Sequence, residues 1–268
     1  MFQITILFLY IIAGVSLTLS RLPAFSTYHK ILLGAAGLSG VAGLLLHAQA
    51  LSTGIFVDGG LSLSIRNTAS LIGLQLALIA LLAALQETLR GLAGGLLLLA
   101  AVAATLTGWS LPATAEEALT WQIQTHVLIS LFAYGLLTAG AIVALFALVQ
   151  ERRLRAGQLS SWNRLFSPLE TTEKMLFGIT TAGFLLLLLA VSSGFALFDN
   201  IFAQHLVHKT TLSLLALLLF GILIGGRQFA GWRGSRAVYL YLWGFAILCL
   251  AYFGSRYILE AILGRSWN

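Results

Sequence analysis

Eight stretches of this chain contain no Asp, Glu, Lys or Arg: residues 1–20, 31–57, 67–86, 91–115, 118–150, 175–198, 210–226 and 237–255. Each is a continuous apolar run, without the period-two alternation of a half-buried strand. A helix rising 1.5 Å per residue needs about 20 apolar residues to cross the hydrocarbon core of a bilayer. The pattern therefore predicts an all-α integral membrane protein, a bundle of eight transmembrane helices. The expected helices are 2–19, 31–50, 68–86, 91–109, 126–149, 174–197, 209–226 and 237–259. A membrane β-barrel is excluded, because it requires short alternating segments. The three prolines, Pro23, Pro112 and Pro168, all fall in connections, where they break no helix. The whole chain, 1–268, reads as one transmembrane domain.

The connections differ in character. Residues 51–67 are too apolar for a free loop and too irregular for a span, which suggests a segment lying on or dipping into the outer face. Between Ser110 and Thr125, Glu116, Glu117 and Trp121 fit a short interfacial helix, with the indole at headgroup depth. The cytoplasmic connection 150–173 opens with Glu151, Arg152 and Arg153 and reads as a helix extension plus anchor. Gly91, Gly94, Gly95, Gly135 and Gly140 are small residues within spans and permit close helix contact.

Composition agrees with the pattern. Hydrophobic residues make up 59% of the 268 residues and charged residues 9%, against about one quarter charged in an ordinary soluble domain. The first stretch has no basic leader and no small-residue cleavage pattern, so it reads as a retained helix. Charge then orients the bundle. The odd-numbered connections carry eleven of the fifteen cations and sum to +7, whereas the even-numbered connections and the C-terminal end sum to −1. Basic connections stay cytoplasmic, which puts both termini on the outer side of the membrane. The cytoplasmic cations are expected to meet anionic lipids. They are not a nucleic-acid footprint, because no basic face exists outside those loops. The single cysteine, Cys249, excludes an internal disulfide, a CxxC pair and a cysteine-based zinc site. Neither a P-loop nor a hydrolase elbow is present.

The candidate chemistry rests on histidine. His29 lies beside Lys30 on the cytoplasmic side and reads as a solvated loop residue. His47, His126, His205 and His208 all map to the outer half. Imidazole ligates haem iron and transition metals, and four imidazoles collected toward one face make a candidate site. Each also has a plainer reading. His47 can hydrogen-bond a carbonyl, His126 can open a helix in headgroup water, and the i, i+3 spacing of His205 and His208 is by itself a weak metal signal. No carboxylate lies between the ends of any span, which argues against ion-coupled transport. A b-type haem needs only apolar walls and one or two imidazoles. Phe132, Tyr134, Phe195, Phe198, Trp243 and Tyr252 are aromatic candidates for such walls.

The helix opening His126-Val-Leu-Ile-Ser-Leu-Phe-Ala-Tyr134 resembles the histidine-led helix of the cytochrome c assembly family, which includes the CcsA, CcmC and HemX-like membrane proteins. The turn Gly231-Trp-Arg-Gly-Ser-Arg236 and the following helix ending Tyr252-Phe-Gly-Ser-Arg256 are similar to the closing part of that family. Leu46-His47-Ala, Asn67-Thr-Ala-Ser-Leu71 and the Ser167-to-Met175 stretch resemble its YpjD-type branch. The likeness covers essentially the whole chain. It implies a haem-binding or haem-handling inner membrane protein associated with c-type cytochrome assembly, with haem b as cofactor. Haem and other membrane proteins of cytochrome assembly are the implied partners. His126 and His208 become the candidate axial ligands, with His47 and His205 in reserve. Residues 198–211 hold no tryptophan and lack the WDPKE sequence of haem-delivering members. Histidines of those members that would fall near Gly225 and Leu263 are also missing. A non-catalytic protein is therefore expected rather than a haem lyase. The alternatives are a small-molecule or haem permease, and a cofactor-free regulatory protein acting through the 150–173 connection.

Overall fold

A computed structural model describes residues 2–57, 60–61, 65–105, 120–157, 168–197 and 207–254. Among the described residues the architecture is helical apart from one hairpin of two short strands. The helices are α1 (Phe2–Leu19), α2 (His29–Ile55), α3 (Ile65–Ala84), α4 (Arg90–Ala104), α5 (Trp121–Arg155), α6 (Leu169–Leu197), α7 (Val207–Ala230) and α8 (Ser235–Cys249). Among the described residues, eight helical spans are long and apolar enough to cross a membrane.

Several boundaries moved from their expected places. A 3-10 turn at Pro23–Tyr28 leads into α2, which runs on to Ile55. The segment expected to lie on the outer face is thus partly helix. It then forms β1 (Phe56–Val57) and β2 (Gly60–Leu61), antiparallel with Phe56 opposite Leu61. α5 begins at Trp121, five residues before His126, and continues through the Arg152–Arg155 run as the expected helix extension. The remainder of the expected interfacial helix, residues 106–119, lies outside the described residues, as do 158–167. α8 gives way to a π-helical turn at Leu250–Gly254. A π turn widens the backbone ring to an i→i+5 hydrogen bond and is found often at functional sites.

The described chain divides into two compact units, residues 1–119 with 149–175, and residues 120–148 with 176–268. In the first unit, α1 packs against α2 and α4, and α3 packs against α2 and α4. Ile6, Tyr10, Ala13 and Leu17 are buried on α1, while Phe2, Ile4, Phe8 and Ile12 are exposed. That three- and four-residue spacing is one helical stripe facing protein and another left for lipid. α4 is the interior helix, with Leu92, Ala93, Leu96, Leu97 and Ala100 buried. Its approach to α1 depends on glycine. A Cβ on Gly14 would stand 2.8 Å from the Gly94 carbonyl oxygen, and one on Gly94 would stand 2.7 Å from that of Gly14. Lipid tails are as apolar as leucine, so helices in a bilayer associate through such close backbone contact.

In the second unit, α7 packs on α8 and on the π turn. Phe220 and Tyr241 meet edge to face at 5.2 Å. The Tyr241 hydroxyl donates to the Leu137 carbonyl at 2.7 Å, where α5 has Gly140 and no side chain in the way. Of the glycines expected to permit close contact, Gly94 and Gly140 do so, whereas Gly95 has nothing near its Cβ position.

Candidate functional site

The five histidines fall into different environments. In the first unit, His47 is fully buried on α2. Its Nδ1 pairs with the Tyr10 hydroxyl of α1 at 3.2 Å and its Nε2 with the Ser70 hydroxyl of α3 at 2.8 Å. Tyr10 and Ser70 are themselves fully buried. Three helices thus meet through one imidazole whose two nitrogens both have protein partners. This satisfies the rule that a buried polar group finds a hydrogen bond. To reach a metal, His47 would have to release one of them.

His29 departs from expectation. It opens α2 half-buried, and it is a junction rather than a solvated loop residue. Its Nδ1 lies 3.1 Å from the Ser20 carbonyl, and Arg90 Nη1 lies 3.4 Å from its Nε2. A carbonyl only accepts and a guanidinium only donates. The imidazole therefore carries its proton on Nδ1 and accepts on Nε2. With the Arg21–Glu87 ion pair at 3.3 Å, it ties together the neighbouring ends of α1, α2 and α4. The signal was available in sequence, since His29, Arg21, Glu87 and Arg90 all fall at one set of helix ends.

His126 stands in the second unit, one turn and a half into α5. Its Nδ1 is 2.8 Å from the Ser193 hydroxyl of α6. Ser193 in turn donates to the Ala190 carbonyl at 2.9 Å. Gly194, next to Ser193, leaves room for the ring: a Cβ there would lie 3.3 Å from Cε1. The His126 carbonyl accepts from Ser130, one turn on.

The start of α7 and the π turn complete this end of the unit. The Lys209 ammonium lies within electrostatic reach of His126 and 5.8 Å from the centre of the Tyr252 ring. Tyr252 packs on Tyr134 at 5.5 Å, and Tyr134 donates to the Leu248 carbonyl at 3.1 Å. His126, Ser193, Lys209 and Tyr252 thus belong to the same end of α5, α6, α7 and the turn after α8. His208 precedes Lys209 on α7 and is exposed. His205 and Phe198 lie outside the described residues. Of the other aromatic candidates, Phe132, Phe195 and Trp243 are exposed on the outer surface of the helices, and only Tyr134 and Tyr252 come together.

Among the described residues, no three His, Cys, Asp or Glu side chains form a group able to cage a metal ion. The donor set at this end is instead one anchored imidazole, one cation and the Tyr134–Tyr252 pair. A porphyrin supplies four of the iron ligands itself and asks the protein for one or two, so a single anchored imidazole is chemically compatible with one. Sequence reasoning recognised His126 but passed over Ser193, Gly194 and Lys209 as parts of its surroundings. The available signal was a Ser-Gly pair inside an otherwise apolar span, where a polar residue is a functional marker by default.

Comparison with known proteins bears on the whole chain. The cytochrome C assembly protein family matches residues 35–263, which span both units. An inner membrane protein of Escherichia coli K12, YpjD, is 31% identical over 233 residues, covering 84% of this chain and 86% of the relative. An uncharacterized 28.8 kDa protein of Azospirillum brasilense is 29% identical over 144 residues, 53% of each chain. No solved structure gives a significant match.

Proposed function

The chain belongs to the cytochrome c assembly protein family, and from that premise we propose that it is a haem-handling protein of c-type cytochrome assembly, non-catalytic, using haem b. Its eight apolar spans and its likeness to a named inner membrane protein make it a multi-pass inner membrane protein. The orientation proposed from charge puts both termini, and with them the His126 end of α5, on the periplasmic side. The cytoplasmic cations then face anionic lipid.

The observation that carries the reading is His126: an imidazole held by Ser193 of the neighbouring helix, at the end of the unit where Lys209 meets Tyr252. His126 is the first proposed axial ligand and His208, on the adjoining turn of α7, the second, with His205 in reserve. Lys209 suits a propionate, because its ammonium sits over Tyr252 at that end. Tyr134 and Tyr252 offer ring faces to the macrocycle edge. Haem bound there would supply an iron centre that cycles between ferric and ferrous states in a surround of low polarity. The protein's own share is to hold the imidazole, neutralise a carboxylate and exclude water. Residues 198–211 lack tryptophan, so holding or relaying haem is proposed, and attachment to an apocytochrome is not.

The test is the absorption spectrum of protein purified in mild detergent, oxidised and reduced, with a pyridine haemochrome assay. A Soret band with near-stoichiometric b-type haem, lost or shifted in His126→Ala and in His208→Ala, supports the reading. A colourless protein that takes up no added haem overturns it. Spectra unchanged in both variants reject the ligand assignment.

A further inference from the structure

We propose that Ser193 is a positioning residue that fixes His126 as its Nδ1–H tautomer, so that Nε2 carries the lone pair offered to a metal. The argument is a count of protons. A serine hydroxyl has one hydrogen and two lone pairs. Ser193 places its hydrogen on the Ala190 carbonyl at 2.9 Å. With its hydrogen on that carbonyl, the Ser193 oxygen accepts from His126 Nδ1, 2.8 Å away. The imidazole must supply the hydrogen from Nδ1.

A neutral imidazole carries one N–H. Holding it on Nδ1 leaves Nε2 as the basic nitrogen. An anchored partner on the far nitrogen also fixes ring orientation and raises ligand basicity. Three residues of α6 take part. Ala190 supplies the carbonyl, Ser193 the hydroxyl, and Gly194 the space in which the ring lies, 3.3 Å from where a Cβ would be. The same helix turn thus binds the Nδ1 edge and shapes the wall beside Cε1. The contrast with His47 supports a specific role. There the partners are a tyrosine and a serine hydroxyl, each able to donate or accept, so neither tautomer is imposed.

The iron-facing part of this inference rests on the haem reading above; the tautomer itself does not. The experiment is therefore run in two states. Histidine-labelled protein with 15N is compared as wild type, Ser193→Ala and Ser193→Thr, with His126→Ala to assign the signal. In the haem-free state the wild type is expected to show His126 as Nδ1–H. Ser193→Ala is expected to give a mixture or the Nε2–H form, and Ser193→Thr to restore the wild-type signal. Haem titration of the same proteins is expected to show a loss of about tenfold in affinity for Ser193→Ala, the lower end for removal of an outer-shell partner. The threonine variant should recover most of it. Gly194→Val, which crowds the ring without touching the hydroxyl, should weaken haem uptake and keep the tautomer. An unchanged His126 signal in Ser193→Ala overturns the proposal whatever the haem result. A wild type that shows the Nδ1–H form and its loss in Ser193→Ala, yet takes up no haem, leaves Ser193 as the tautomer-setting group and sinks the haem reading alone.

Discussion

Replacing His47 by leucine separates a hydrogen-bonded core histidine from a metal ligand. The imidazole is fully buried, 3.2 Å from the Tyr10 hydroxyl and 2.8 Å from that of Ser70. Leucine is of similar bulk, so the cavity contribution is small and the two polar partners decide the cost. Ser70 can turn its hydroxyl back on the carbonyl one turn earlier. Thr18, Ser39, Ser130, Thr138 and Thr180 already do this in their own helices. Tyr10 has no such option, because a phenol cannot reach its own helix backbone. One stranded buried hydroxyl costs about 1–3 kcal/mol. Interhelical hydrogen bonds in membranes average about 0.6 kcal/mol and reach about 1.7 kcal/mol. A loss of about 1.5–2 kcal/mol is therefore expected for His47→Leu. Adding Tyr10→Phe removes the stranded group, so the double variant should lose less than the sum of the singles by about 1 kcal/mol. Unfolding by dodecyl sulfate in mixed micelles measures all four corners of the cycle, with haem content read on the same samples. Additive losses would refute the claim that Tyr10 and His47 share one interaction. A His47→Leu protein that is normally stable but has lost its Soret band would make His47 a ligand and reverse the reading.

Three other outcomes are expected. Gly14→Ala should destabilise the protein by about 1–3 kcal/mol, because its methyl meets the Gly94 carbonyl; Gly95→Ala, with open space around it, should be neutral or stabilising in the same unfolding assay. Lys209→Gln should weaken haem binding about fivefold, on the order of 1 kcal/mol for a partly exposed charge pair, and its haem titrations should depend less on salt than those of the wild type. Periplasm-active reporters fused at either terminus should be active, while a cysteine introduced at Gly157, just past the α5 cations, should be labelled only from the cytoplasmic side. The opposite pattern would invert the proposed topology.

The eight spans were legible from the one-dimensional pattern, because a bilayer imposes one length and one polarity on every crossing. The sequence singled out His126 as a candidate because its family resemblance extends along the helix; that it meets Ser193 came only with packing. Where the expectation missed, the missing quantity was depth or rotation. α5 starts at Trp121 because five more residues continue the helical hydrogen bonding outward before the chain turns. Residues 51–55 continue α2 for the same reason. His29 looked like loop because it sits beside Lys30, yet its ring turns inward onto Ser20 and Arg90.

The amino-acid order alone thus determined that this is a membrane protein and where its long apolar helices fall. Tertiary structure decided which hydroxyl faces which ring nitrogen. Hydropathy depends on what each residue is. A hydrogen bond depends on the azimuth and height at which two helices present their side chains, and residues as far apart as Tyr10 and His47, or His126 and Ser193, acquire those coordinates only when the helices pack. That is why His47 and His126, equivalent as letters in a span, come out as a doubly bonded core residue and an anchored imidazole.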